Sequence, residues 1–166
     1  ASTNATSVVY NVTFSADVTG VDTSDFTLTA TGTAAGSIAS IASISAASYD
    51  VTVNNVNGDG TLRLDLNATG TGIENGSSNA IGSGFTSGEI YTFDHTLPTL
   101  TKASIVSNNT TTTLAKSGNI VTLNFTASEA IGTPTITMTG NSVTPTNLGS
   151  NNYSATYTLT NTDAEG

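Results

Sequence analysis

The residues best suited to chemistry are carboxylates near the start of the chain. Asp17, Asp22 and Asp25 lie within a span of nine residues, and a hard cation such as calcium binds where several oxygen ligands converge on one loop. Their spacing matches no EF-hand loop. Aspartates at turns also accept hydrogen bonds from backbone N–H groups while facing solvent. The sequence therefore leaves two roles open for these three residues, calcium ligation and turn capping.

A further candidate lies in the segment that ends with Pro98. Asp94 lies there, and a cation bound at this position would stiffen the connection between neighbouring domains. His95 is the only histidine and has no nucleophile in a recognisable motif beside it, so we interpret it as a solvated linker residue. We therefore predict no enzyme, no catalytic residue and no cofactor apart from calcium, with Asp17, Asp22, Asp25 and Asp94 as the candidate metal ligands.

The charge balance excludes several classes of partner. The formal net charge is −9, and the only cations are Arg63, Lys102 and Lys116. No basic patch is present to release counterions from a nucleic acid or to bind an anionic membrane surface. The sequence contains no run of about 18 apolar residues, so we predict no membrane insertion. Low charge, no cysteine and abundant Thr, Ser and Asn favour an extracellular location.

Short segments with a period of two residues predict an all-β protein. Apolar residues occupy every second position from Val8 to Phe14, as in a strand with one buried face. The Gly- and Ser-rich stretch from Thr31 to Ser48 has isoleucines three residues apart, but its low helix propensity favours irregular strands. The turn Asn57-Gly-Asp-Gly60 predicts a hairpin from Tyr49 to Leu66. Further strands are predicted near residues 26–30, 90–93, 100–106, 120–125, 135–139 and 153–159.

The two halves of the chain repeat one another. Strand order, facing and turn chemistry recur, which is the signature of tandem units. We therefore predict two domains, residues 1–96 and 97–166, each a β-sandwich. The first is expected to lack an opening strand, and the second to stop before its last two strands. The aligned segments are 11–17 with 123–129, around Phe14 and Phe125, and 49–53 with 153–157.

These segments resemble the immunoglobulin-like repeats of large bacterial adhesins that are secreted or anchored at the cell surface. The resemblance rests on residues 12–26, 49–53, 58–66 and 91–98 in the first half, and on 121–130 and 153–157 in the second. It implies tandem immunoglobulin-like sandwiches that act as a spacer or adhesive segment of a stalk. The expected partners are neighbouring repeats, or glycans and proteins of a host or surface. Two alternatives remain open: a calcium-stabilised ligand-binding module, and a filament subunit completed by strand donation.

Overall fold

The computed structural model describes residues 2–163, and the chain divides into two compact units, Ala1–Thr96 and Leu97–Gly166. Within the described residues the secondary structure consists of β-strands and one short 3₁₀ turn, without an α-helix. The strands pair in antiparallel sheets. The prediction of an all-β protein is therefore confirmed.

Unit 1 is built on two three-stranded sheets. One sheet has the order β1-β5-β4, the other has the order β3-β6-β8, and β2 pairs with β7 as a separate two-stranded ribbon. The strands are β1 (Val8–Thr13), β2 (Val18–Thr19), β3 (Phe26–Ala30), β4 (Ala35–Ser45), β5 (Ser48–Asn57), β6 (Gly60–Leu66), β7 (Glu74–Asn75) and β8 (Ile90–Phe93).

The core of unit 1 lies between the two larger sheets. On β5 the residues Tyr49, Val51 and Val53 are buried, which is the period-two pattern expected of a strand with one inward face. Leu62 and Phe93 from the opposite sheet belong to the same apolar cluster as Val51 and Val53 and are almost completely buried. Burial of this alternating set provides the main stabilisation of the sandwich, because apolar area removed from water is the dominant favourable term in folding.

The three-residue spacing of isoleucines in β4 is explained by bulges in one long strand. Ile38 lies opposite Val53 and Ile41 lies opposite Val51, so β4 advances three residues while β5 advances two. The extra residue at this bulge keeps Ile38 and Ile41 on the same face, where both contact the core. The interpretation as irregular strand instead of helix is confirmed.

The predicted hairpin from Tyr49 to Leu66 is wrong. β5 pairs with β1 and β4, whereas β6 pairs with β3 and β8, so the turn between β5 and β6 carries the chain from one sheet to the other. Gly58 in this turn has φ +73°, and a Cβ atom built there would lie 2.1 Å from the carbonyl oxygen of Thr33. Only glycine fits such a position without strain.

Unit 2 has one four-stranded sheet and one hairpin. The sheet order is β13-β14-β10-β9, and β11 pairs with β12. Ile136 and Met138 of the hairpin are buried with Phe125 and Tyr153 of the sheet, so two layers enclose this smaller core. The strands are β9 (Leu100–Ser107), β10 (Ile120–Ala127), β11 (Ile136–Met138), β12 (Asn141–Val143), β13 (Thr146–Gly149) and β14 (Asn152–Thr158).

Both units contain the same antiparallel strand pair, β1 with β5 and β10 with β14. Opposite Tyr49 lies Val12, and opposite the corresponding Tyr153 lies Phe125. The structural counterpart of Phe125 is therefore Val12, and the alignment of Phe125 with Phe14 is wrong by two residues. The two phenylalanines nevertheless have a similar role, because each packs against the anchoring tyrosine of its unit. The ring centroids lie 5.9 Å apart, edge-to-face, in unit 1 and 5.2 Å apart, stacked, in unit 2.

Candidate functional site

The predicted turn at Asp22 to Asp25 is a 3₁₀ turn closed by both aspartates. The Asp22 carboxylate accepts hydrogen bonds from the backbone N–H and hydroxyl of Ser24, at 2.7 and 2.6 Å. The Asp25 carboxylate accepts one from the backbone N–H of Asp22, at 2.7 Å, which completes a capping box. The bonds from Ser24 hold the pKa of Asp22 below its usual range. Turn capping thus accounts for the spacing of these two residues.

Asp25 differs from Asp22 in being almost fully buried. Its side chain is 1% exposed, and within the described residues its second oxygen, Oδ1, has no hydrogen-bond partner. Burial raises the pKa of Asp25, and the nearby Asp22 carboxylate adds to this while the Asp22 backbone bond opposes it. A desolvated carboxylate with a missing partner costs stability when ionised.

The other two candidate ligands occupy separate surroundings. Asp17 is exposed between β1 and β2, while Asp94 follows β8 and accepts a hydrogen bond from the backbone N–H of Thr96 at 3.2 Å. Among residues 2–163, no group of three or more His, Cys, Asp or Glu side chains is arranged to hold a metal ion. Calcium binding by Asp17, Asp22, Asp25 or Asp94 stays a prediction.

The segment after β8 is fixed to unit 1 by a residue that sequence reasoning missed. Asp59, in the turn between β5 and β6, accepts hydrogen bonds from the backbone N–H of His95 at 2.6 Å and from the hydroxyl of Thr96. The bond from the Thr96 hydroxyl, followed by that from His95, lowers the pKa of Asp59, so the carboxylate is ionised at neutral pH. One side chain therefore ties the chain's exit from β8 to the β5–β6 turn.

His95 is not a solvated linker residue. Its ring stacks on Phe93 at a centroid distance of 6.2 Å, and its Nδ1 lies 2.9 Å from the carbonyl oxygen of Gly58. A carbonyl oxygen only accepts, so Nδ1 carries the proton. No local sequence pattern signals these hydrogen bonds, because the partners of His95, Asp59 and Gly58, lie 36 and 37 residues away, in the β5–β6 turn.

The pairing of β5 with β1 is anchored by a buried tyrosine hydroxyl, and unit 2 repeats the anchor. Tyr49 donates to the carbonyl oxygen of Val18 at 2.9 Å, and Tyr153 donates to that of Ile131 at 3.1 Å. A backbone hydrogen bond at the end of each strand pair also repeats. The N–H of Phe14 donates to the carbonyl oxygen of Ala47, and the N–H of Ala127 donates to that of Asn151. The same bonds thus join equivalent positions in the two units.

A groove of about 460 Å³ runs along the outer side of β1. Its floor includes inward-facing residues of the opposite sheet, such as Leu64 and Leu66, and its rim includes Phe85, whose side chain is 55% exposed. Residues 10–15 of β1 and the turn after it form one wall. The arrangement is a slot with an apolar base beside a strand edge, suited to an elongated occupant.

Comparison with protein-family models, with curated proteins and with solved structures gave no match for this chain. The resemblance to immunoglobulin-like adhesin repeats therefore stays a prediction. Residues 2–163 contain no helix with the length and apolar character needed to cross a membrane.

Proposed function

We propose that this chain is a structural and adhesive repeat segment of a long bacterial surface appendage, in which it acts as a spacer. The observation that carries the proposal is the repeated strand pair with its tyrosine anchor. Two units built on the same pair, with the same hydroxyl-to-carbonyl bond, are what a tandem array of modules would contain.

The strand order supports an immunoglobulin-type reading of these modules. In that sandwich a sheet of order A-B-E-D faces a sheet of order C-F-G. Unit 1 has β1-β5-β4 and β3-β6-β8, which match B-E-D and C-F-G, while β13-β14-β10-β9 of unit 2 matches D-E-B-A. On this assignment the place of strand A is open in unit 1, and strands F and G have no counterpart among the described residues of unit 2.

The direction of the strands suits modules joined in series. In unit 2, the first strand, β9, starts beside the end of β10, where Thr99 and Ser128 exchange hydrogen bonds. In unit 1, the last strand, β8, ends beside the start of β6, where Phe93 lies opposite Gly60. Mapped onto one repeat, these are opposite ends of the sandwich. A complete repeat would take in the chain at one end and release it at the other, as a stalk requires.

The anchored exit from unit 1 supports a spacer that resists bending. A free linker would let neighbouring modules move independently. Here the backbone N–H of His95 and the hydroxyl of Thr96 both bond Asp59, and the backbone N–H of Asp94 bonds the carbonyl oxygen of Thr3 at 3.0 Å. The part of the linker that precedes Leu97 is therefore held by unit 1, and only the residues around Pro98 remain to flex.

Distances between spin labels test the spacer role directly. The chain lacks cysteine, so labels can be placed at the exposed positions Ser43 and Ser142, one in each unit. We expect a narrow distance distribution that broadens in Asp59→Ala. Asp17→Ala is the matched control, since it removes one exposed carboxylate and should leave the width unchanged. A distribution as broad in the unaltered chain as in Asp59→Ala would refute a stiffened spacer.

A further inference from the structure

The outer edge of β1 has no neighbouring strand among residues 2–163. β1 is the terminal strand in the order β1-β5-β4. The N–H of Phe14 donates to the carbonyl oxygen of Ala47, so the backbone groups of Phe14 point towards β5. Successive residues of an antiparallel strand point their N–H and C=O groups to opposite sides. The N–H and C=O groups of Val9, Asn11 and Thr13 therefore point away from β5. The carbonyl of Val9 is met by the hydroxyl of Tyr91 at 3.2 Å. Asn11 and Thr13 present the open part of the edge.

Unit 2 shows what lies in the equivalent place. The counterpart of β1 is β10, and its outer edge is filled by β9 in antiparallel pairing. There Asn124 lies opposite Ser104 and Thr126 lies opposite Lys102. The two strands are also similar in sequence, since four equivalent positions in β1 and β10, or just after them, carry identical residues. These pairs are Val8 with Val121, Asn11 with Asn124, Thr13 with Thr126 and Ser15 with Ser128.

The groove beside β1 has the size and lining that such a strand needs. Six consecutive residues, 10–15, form its wall, which corresponds to about 20 Å of extended chain. Its apolar floor, with Phe26, Leu64 and Leu66, would receive the inward side chains of an inserted strand. An exposed strand edge beside apolar surface is a template for pairing with another chain.

We propose that the β1 groove is a strand-acceptor site that binds an extended strand of the β9 pattern from a polypeptide of the same repeat type. The strand runs antiparallel to β1, with the position of Lys102 opposite Thr13 and that of Ser104 opposite Asn11. This proposal rests on the proposed repeat, since the occupant is identified from the equivalence of β1 with β10.

The register fixes which side chains of the donated strand enter the groove. In unit 2, Ala103 lies opposite Phe125 and Ile105 opposite Leu123, so these two share the sheet face of the buried Phe125, where Ile105 is itself 63% exposed. Val106 lies opposite Thr122 and shares the outward face. The occupant therefore places a small residue against Val12 and a large apolar residue against Tyr10, and its outward positions tolerate polar side chains.

A synthetic peptide of residues 97–107 tests the site when titrated into the full chain by calorimetry. We expect saturable binding with one peptide for each chain. Thr13→Pro in the protein should weaken it at least about tenfold, because proline removes an edge donor that β5 does not use. A peptide with Ile105→Asp should also lose affinity by at least about tenfold, since it would bury a carboxylate. The matched peptide with Val106→Asp should bind within a few-fold of the parent.

Covalent trapping tests the register. Thr13→Cys in the protein and Lys102→Cys in the peptide should form a disulfide, because opposed residues at such a pair have Cα atoms about 5.5 Å apart. No saturable binding, or binding unaffected by both Thr13→Pro and the Ile105→Asp change, would overturn the proposal. None of these failures would alter the distances between spin labels, so they are separable from failure of the spacer role.

Discussion

Single hydroxyl groups fix the strand pair on which each unit is built. A buried phenol stabilises a fold only when its O–H finds a partner, because an unsatisfied polar group keeps its full desolvation cost. Tyr49 is 9% exposed and Tyr153 is 4% exposed, and both donate to a carbonyl five residues beyond the end of the paired segment. The hydroxyl therefore holds the chain that leaves the strand against the core.

Removing these hydroxyls should destabilise each unit separately. We expect Tyr49→Phe to lower the free energy of unfolding of unit 1, and Tyr153→Phe that of unit 2, by about 1–2 kcal/mol each. Hydrogen exchange resolved by residue across a urea series would measure the two units independently. Tyr91→Phe is the control, since its hydroxyl bond to Val9 is exposed and should be worth less than about 1 kcal/mol. Equal effects for all three variants would contradict the anchor.

Asp25 should give the stability of unit 1 a measurable pH dependence. Its pKa is raised by burial from the ordinary value of 3.8, so the folded state binds the proton more tightly than the unfolded state. The contribution of Asp25 to the free energy of unfolding is fully present at pH values below 3.8 and is lost as the pH rises through the pKa of the folded state. Asp25→Asn should therefore gain stability relative to the unaltered chain as the pH rises above the ordinary value of 3.8, measured as the difference in unfolding free energy.

Asp65 provides a control of opposite sign. Hydrogen bonds from Arg63, with further help from Thr29, lower the pKa of Asp65. Its contribution is present above the ordinary value and is lost as pH falls through the folded pKa. Asp65→Asn should lose stability at neutral pH and approach the unaltered chain in acid. Parallel pH profiles for the two variants would contradict the assigned environments.

At the scale of strands, burial could be predicted from the sequence, and partners could not. Alternation along Val8 to Phe14 and along Tyr49 to Val53 reports which side chains face inward, because that pattern is local. The partner of each strand depends on residues far away in the chain. The turn after β5 contains Gly58 and Gly60, as a hairpin turn would, yet their positive φ angles allow the chain to cross from one sheet to the other. The Asp59 contacts were missed for the same reason, since His95 lies 36 residues away.

The sheet-changing turn should tolerate no side chain at Gly58. Gly58→Ala combines a φ of +73° with a Cβ atom 2.1 Å from the Thr33 carbonyl oxygen, so we expect a loss of about 3 kcal/mol or more in the stability of unit 1. Gly70→Ala is the matched control, with φ +77° but open space around the Cβ position, and should cost only about 1–2 kcal/mol. Denaturant unfolding measures both, and similar losses would show that the close contact with Thr33 is unimportant.

At the scale of the whole chain, the two units divide the core between them. One apolar cluster contains residues of unit 1 only and another contains residues of unit 2 only. The sequence predicted this division from its internal repeat, although the alignment of Phe14 with Phe125 was two residues out. It also carried the pattern of β9, and the pairing of β9 with β10 is the basis for the occupant that we propose for the β1 groove. In the proposed spacer, each unit would bear load as a separate module with its own anchored strand pair.

Single-molecule force spectroscopy, with the chain pulled from its two ends, tests most directly whether the two units are separate modules. We expect two separate unfolding events, with contour-length gains of up to about 330 Å for unit 1 and about 240 Å for unit 2. A single event of up to about 570 Å would mean one continuous folding unit, and it would contradict a spacer made of tandem modules.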